Sequence, residues 1–358
     1  MSASARNIPG RGAANNPGNR FERLESVADD SYLDDLDPEN REGPRPETVY
    51  YRDATKSIIT TNTSPDAGFD ASINPYRGCQ HGCVYCFARP NHEYLGLSAG
   101  LDFETKILVK ENAPELLRRE LSAKKWRPRP IALSVATDCY QTIEKKLKIT
   151  RRCLEVLAEF RNPVAVVTKN HLVTRDVDLL QKLAKYGAAS VSISLTTLDD
   201  ELRRRMEPRT SSPRRRLAAM EKLSEAGIPV SVLVAPVIPG LTDHELPNLL
   251  RAAADAGATS AGFTPVRLPH AVAPLFAGWL QRNYPDREEK VLNRIREIRN
   301  GKLNDPRFGS RMRGEGVYAE HMRSLFDLSC RRAGISRGRM KLSTGSFRVP
   351  TDQPSLFD

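Results

Sequence analysis

Between Ile131 and Pro265 short apolar runs alternate with stretches of helical period, and this alternation confines the chain to an α/β architecture. The runs Ile131–Ala136, Val164–Thr168, Ser190–Thr196, Val230–Pro236 and Ser260–Pro265 are nearly continuous in apolar residues, as strands covered on both faces are. Between them Leu147–Phe160, Val177–Tyr186, Pro213–Ala226 and His244–Ala256 repeat their apolar side chains at helical spacing. Gly187, Gly227 and Gly257 stand where three of these helices must stop before the next strand. Upstream, Lys56–Thr61 and Phe69–Asn74 read as strands separated by the turn S-P-D-A-G, and Ala113–Lys125 as a helix. Ala273–Arg282 adds another helix beyond the last strand. Counting Phe69–Asn74 as the first strand gives six β/α units, which close either as a doubly wound sheet or as a partial barrel. Periodicity does not choose between these. Either way, the loops at the strands' C-terminal ends build the site.

The first of those loops, N-P-Y-R-G-C-Q-H-G-C-V-Y-C-F-A-R from Asn74 to Arg89, carries Cys79, Cys83 and Cys86 in a C-x3-C-x2-C spacing. Gly78 and Gly82 let so short a segment curl until its thiols face one point. Converging thiolates bind metal. A tetrahedral zinc site would want a fourth Cys or His at a matching short spacing, and none is evident. Three thiolates suit a [4Fe-4S] cluster with one iron left open to an outside ligand.

The aromatic Tyr85 one residue before Cys86 completes a C-x3-C-x-aromatic-C pattern that resembles the cluster loop of the radical S-adenosylmethionine (SAM) superfamily. The resemblance implies a radical SAM (β/α)6 partial TIM barrel with the cluster loop after its first strand. It implies two cofactors, a [4Fe-4S] cluster and SAM. It further implies that SAM binds the open iron and is split by one electron into methionine and a 5'-deoxyadenosyl radical that abstracts hydrogen from a substrate. Flavodoxin or ferredoxin is the expected reductant. The segments G-R-G-A-A-N-N-P-G-N-R-F, D-F-E-T-K-I and L-P-H extend the likeness to a bacterial family related to spore photolyase, which splits a methylene-bridged thymine dimer with a cysteine as hydrogen donor.

If the fold is a barrel, residues just past each strand point at one cavity. Thr137 and Asp138 then stand ready for the SAM amino group, although Thr137 also suits a helix cap. Lys169 would bring a cation to the cavity mouth, or lie in solvent. Ser194 and Thr196 end the fourth strand, where the superfamily contacts the SAM ribose or carboxylate, and Glu207 and Arg209 follow. The segment V-A-P-V-I-P-G resembles the superfamily's adenine-packing stretch, which assigns Ala235, Pro236 and Ile238 to adenine. Tyr85 and Phe87 are expected to wall the cluster from water. Cys139, in T-D-C-Y-Q-T, is the candidate hydrogen donor, with a buried inert thiol as the alternative.

Around this core (51–300) the sequence predicts a disordered N-terminal arm over residues 1–50, because Gly, Asn, Pro, Arg and Asp dominate there without an apolar period. Asp286–Gly301 and Glu315–Ala333 read as helices, the second lying in a helical extension over 301–335, and 336–358 as a flexible basic tail. The final Q-P-S-L-F-D resembles the peptide by which bacterial repair proteins dock on the sliding clamp, through Gln353, Leu356 and Phe357. No apolar run approaches the roughly 18 residues of a membrane span, and the N-terminus lacks a signal-peptide core, so a cytoplasmic protein is expected. Lys and Arg number 55 against 44 acidic residues, a net charge of +11. The clusters at Lys124–Arg129, Lys145–Arg152, Arg203–Arg205, Arg214–Arg216 and Arg331–Lys341 fit a polyanion such as DNA, or else solvated helix faces.

Overall fold

Six parallel strands form the wall of the molecule: β1 (Ala71–Ile73), β2 (Ile131–Leu133), β3 (Val164–Thr168), β4 (Ala189–Ser194), β5 (Val230–Val237) and β6 (Ser260–Pro265). The computed structural model describes residues 7–21 and 46–350 of the chain. Neighbouring strands pair in chain order, β1 to β6, each parallel to the next. This is the order of a partial barrel and not of a doubly wound sheet, whose strand sequence reverses at a switch point. The antiparallel Thr60–Thr61 flanks β1, and β7 (Ser336–Arg337) runs parallel to β6 at the other edge.

Strands β1 to β5 bury Val, Ile or Leu in the core, and β6 buries Ala261. Ile73, Leu133, Val166, Val191, Ile193 and Val232 are all fully buried. Helices α1 (Ala113–Leu121), α2 (Ile149–Phe160), α3 (Val177–Ala184), α4 (Pro213–Glu225) and α5 (Leu246–Asp255) supply the other half of this core through Leu117, Leu154, Leu180, Leu223 and Leu250. Full burial of such a side chain contributes roughly 1.5–3 kcal/mol relative to leaving it in water. Three more helices, α6 (Val272–Asn283), α7 (Pro285–Glu297) and α8 (Val317–Ala333), follow β6. α8 packs Met322 and Phe326 into the main core, while Phe276, Trp279 and Ile295 of α6 and α7 form a second cluster with Val84 and Tyr85 of the cysteine loop.

The chain's ends depart from expectation. Residues 7–21 form a strap across the cysteine loop instead of a disordered arm, because a buried carboxylate supplies the partners that an apolar period would otherwise have to replace. Glu104 accepts from the Gly12 and Ala13 amides at 3.1 and 2.8 Å, and Arg89 pairs with the same carboxylate at 2.5 Å. The Arg11 guanidinium donates to the Glu104 and Pro46 carbonyls, and Asn19 to those of Glu93 and Leu97. A side chain on Gly12 would set its Cβ 1.8 Å from the Gly82 carbonyl oxygen, so only glycine allows the strap to lie this close.

Residues 336–350 likewise are fixed. After β7, Arg339 donates to the Ala67 carbonyl, Ser343 N–H to Gly187, and Arg348 N–H to Phe160, beside which the Phe347 ring packs. Gln353, Leu356 and Phe357, the expected clamp-binding residues, lie outside the described residues. No helix among the described residues is long and apolar enough to cross a membrane.

Candidate active site

The cysteine loop leaves β1 at Asn74 and is tied down at nearly every step. Cys79 N–H donates to the Phe103 carbonyl, Val84 N–H to Met206, and Cys86 N–H to Cys83. Arg89, fully buried, donates to the carbonyls of Gly82, Cys83, Ala99 and Gly100. Gly82 has φ +66° and no room for a side chain, since a Cβ there would meet the Glu104 carboxylate at 2.8 Å. With the backbone so fixed, Cys79, Cys83 and Cys86, none in a disulfide, open on one cavity of about 560 Å³. Among the described residues no three His, Cys, Asp or Glu side chains gather tightly enough for a single metal ion. The thiols instead share the wall of a space larger than one ion, which is the arrangement a multi-iron cluster takes.

All three thiols are pushed above their ordinary range in the metal-free protein. Burial does most of this at Cys79, helped by Asp138, and takes that thiol to about 12. Burial and the nearby Glu207 charge raise Cys83 well above its ordinary value, while at Cys86 burial is partly offset by Arg89. A bound cation reverses such a balance, because coordination deprotonates a thiol outright. The donor set therefore fits an iron–sulfur cluster.

The strand ends supply the facing wall. Thr137, Asp138, Lys169, Ser194, Ala235 and Pro236 all line the cavity, as the barrel reading requires, and so does Tyr85. Their roles are more constrained than the sequence suggests. The Thr137 hydroxyl donates to the Tyr76 carbonyl at 2.7 Å, and it caps no helix. Asp138 is held below its ordinary range: burial pushes it up, but His81 and the amides of Lys169 and Tyr140 outweigh that. His81 itself lines the cavity, with Nδ1 3.3 Å from Asp138. Lys169 lies with its ammonium 5.9 Å from the centre of the Tyr85 ring.

Behind Tyr85 sits Glu207, fully buried. It accepts from the Tyr85 hydroxyl, from Thr196 Oγ1 at 2.7 Å and from the buried Arg216. Burial would raise this carboxyl, but Arg216, Lys169 and the hydrogen bonds hold it at about 2.

Four expected site residues lie elsewhere. β4 ends at Ser194, so Thr196 turns inward to Glu207 and does not reach the cavity. Ile238, one residue past β5, packs into the second apolar cluster, with its N–H on Thr242. Arg209 leaves the cavity for a neighbouring groove and donates to the Gly10 carbonyl. Cys139 has no exposed surface and belongs to the main core; burial, then Asp138 and Glu144, push its thiol well above its ordinary range. The thiol thus faces the core and not the cavity, which is the arrangement of the buried inert alternative.

Among the cavity residues not predicted from sequence, besides His81, are three arginines. Arg267, Arg311 and Arg339 all line it, and come from the segment after β6, from Ser310–Arg313 and from the chain after β7. The Arg267 guanidinium lies 4.8 Å from the Phe87 ring centre. Arg311 pairs with Asp66 at 2.7 Å, which with the Arg339–Ala67 bond joins the segment before β1 to the chain beyond β6. No local pattern marks Arg267 or Arg311, and the basic cluster Arg331–Lys341 that contains Arg339 does not say which space it faces; the three converge through long-range packing.

A sequence profile of the Radical SAM superfamily matches residues 73–253, from the end of β1 to α5. An uncharacterized protein of Mycobacterium tuberculosis is 38% identical over 258 residues, covering 70% of this chain and 75% of its own. The radical SAM Nalpha-GlyT isomerase of Pseudomonas phage M6 is 26% identical over 56% of this chain and 40% of its own. Among solved structures, a spore photoproduct lyase mutant superposes with a TM-score of 0.60 at 16% identity, over 89% of this chain and 87% of that one. Another, with bound AdoMet and dinucleoside spore photoproduct, gives 0.58 at 17% identity over 80% of each chain.

Proposed function

Because the chain belongs to the radical SAM superfamily, and is a radical SAM enzyme, we propose that it acts on a residue of nucleic acid. One observation carries the reading: Arg267, Arg311 and Arg339 line the same cavity as the three cluster thiols. Arginine forks match phosphate geometry, and an anionic substrate drawn between them would lie across the cavity from the reacting centre. Of the three, Arg311 already has a carboxylate, Asp66, while Arg267 is partly buried and its basicity is lowered by that burial and by Arg311, so it marks charge that a phosphate anion would relieve. A spore photoproduct lyase of similar fold is bound to a dinucleoside, which supports the reading.

Cys79, Cys83 and Cys86 would hold the [4Fe-4S] cluster, and Ser194, Ala235, Pro236, Thr137 and Asp138 would line the SAM site. Together those groups supply one-electron cleavage of a sulfonium to a carbon radical. The chain's own work is to orient and exclude. Tyr85, clamped by Glu207, would shield the thiol wall from water, with Phe87, half-exposed beside Arg267, at its rim. A donor of the flavodoxin or ferredoxin kind would deliver the electron. DNA lesion repair is the specific activity this reading favours.

The test is an anaerobic assay for 5'-deoxyadenosine with damaged and undamaged oligonucleotides. We expect nucleic acid to change turnover and to be modified, and Arg267→Ala with Arg339→Ala to abolish that response while SAM cleavage alone persists. Turnover indifferent to every nucleic acid but coupled to a peptide or small molecule would overturn the reading.

A further inference from the structure

Successive residues after β3 part company: Lys169 lines the thiol cavity, whereas Asn170 and His171 line a second groove of about 440 Å³. His81 and Asn170 stand back to back between the two spaces. His81 lines the thiol cavity, and its Nε2 lies 3.3 Å from Asn170 Nδ2 on the groove side. Lys145, Arg209, Arg215 and Lys222 also line the groove, and no carboxylate does. Among the described residues none of these four pairs with an acidic side chain, in contrast to Arg175 on the same groove, which Glu144 and Asp176 neutralise at 2.7 and 2.8 Å. The field there is strong enough to act on a neighbour. His171 is held below its ordinary range by burial and then by Arg215 and Lys222.

The geometry points to this groove as a binding site for backbone phosphate of the nucleic acid whose reacting residue enters the thiol cavity. Four cations without carboxylate partners line one concavity, with Ser212 at the start of α4 beside them, so that their charges converge on one space where a phosphate would neutralise them. The groove admits a phosphate with its sugar, whereas a folded acidic protein would reach it only with single side chains. The inference rests on the nucleic-acid reading above. It adds that the strand extends past the His81 wall, so that one molecule occupies both spaces.

Arg215→Ala with Lys222→Ala tests this, since both side chains are exposed and their loss leaves the fold intact. Binding of a single-stranded deoxyoligonucleotide of about ten nucleotides is titrated against salt for the reconstituted wild type and variant. Affinity should fall roughly tenfold at low salt, and the slope of log K against log salt should shrink by up to about 1.4, with iron content and substrate-free SAM cleavage unchanged. If the wild type binds with a clear slope and the variant matches it, the groove inference alone is overturned. If the wild type binds no nucleic acid, the functional reading falls and takes this inference with it. Unchanged oligonucleotide binding with a slower rate of reduction by an acidic flavodoxin would give the groove to the electron donor instead, and would also overturn the assignment.

Discussion

The Tyr85 hydroxyl donates to the buried Glu207 carboxylate, so the ring that stands between Cys83 and Cys86 in the loop is held from behind by the segment after β4. Through Arg216 the same carboxylate reaches the Ser194 carbonyl at the end of that strand, and the thiol loop and the facing wall become one unit.

Removing the charge at its centre should be costly. Glu207→Gln leaves Arg216 buried without a counter-ion and should lower the unfolding free energy by about 3–5 kcal/mol. Tyr85→Phe keeps the ring and the Arg216–Glu207 pair and removes one hydrogen bond to a charged acceptor, about 1.5–3 kcal/mol. Urea unfolding of the two variants measures the contrast; equal losses would mean that the carboxylate is not the organising group.

The strap makes a separate prediction. Gly12→Ala must push residues 11–13 away from the Gly82 carbonyl, so the cluster loop should load less iron and lose it several-fold faster in air. Gly227→Ala, with φ +71° and nothing within 4 Å of the new Cβ, is the control. It should cost about 1–2 kcal/mol of stability and leave iron uptake unchanged. Iron release followed by absorbance distinguishes the two.

Cys139→Ala should preserve SAM cleavage and product yield, because the thiol lies in the core and not on the cavity. The expected change is a modest loss of stability from the vacated volume. A variant that cleaves SAM yet forms no product would restore Cys139 as the hydrogen donor.

His92, between the cysteine loop and the Lys106 carbonyl, gives a pH signature. Burial lowers it from 6.5 to about 4, so the folded protein keeps it neutral while the unfolded chain takes up a proton below 6.5. Its stabilising contribution is complete above about 6.5 and is lost as pH falls toward 4, to a total of roughly 3 kcal/mol. His92→Gln should flatten that part of the stability–pH curve; an unchanged slope would contradict the assignment.

The barrel is legible because its strands bury at least one full face and alternate with helical stretches: the bounds read from sequence for Val164–Thr168 and Ser260–Pro265 are those of the structure. The loop thiols were legible from their spacing. Errors cluster where a strand end was placed two or three residues late, as at Ala136 and Thr196, because apolar content continues past the last ladder bond while the side chain has already turned to another partner. The small sheet of Val49–Arg52, Lys106–Val109 and Tyr76–Arg77 left no comparable signal, since Val49–Arg52 is exposed. The strap and the three cavity arginines depend on contacts between residues far apart in the chain, which composition and period do not encode.

Iron, sulfide and 5'-deoxyadenosine measured together after anaerobic reconstitution and reduction bear most directly on the central claim. The wild type should carry about four iron and four sulfide per chain and cleave SAM, and the Cys79→Ala, Cys83→Ala, Cys86→Ala variant should do neither. SAM cleavage that survives in the triple variant would contradict the assignment of these thiols.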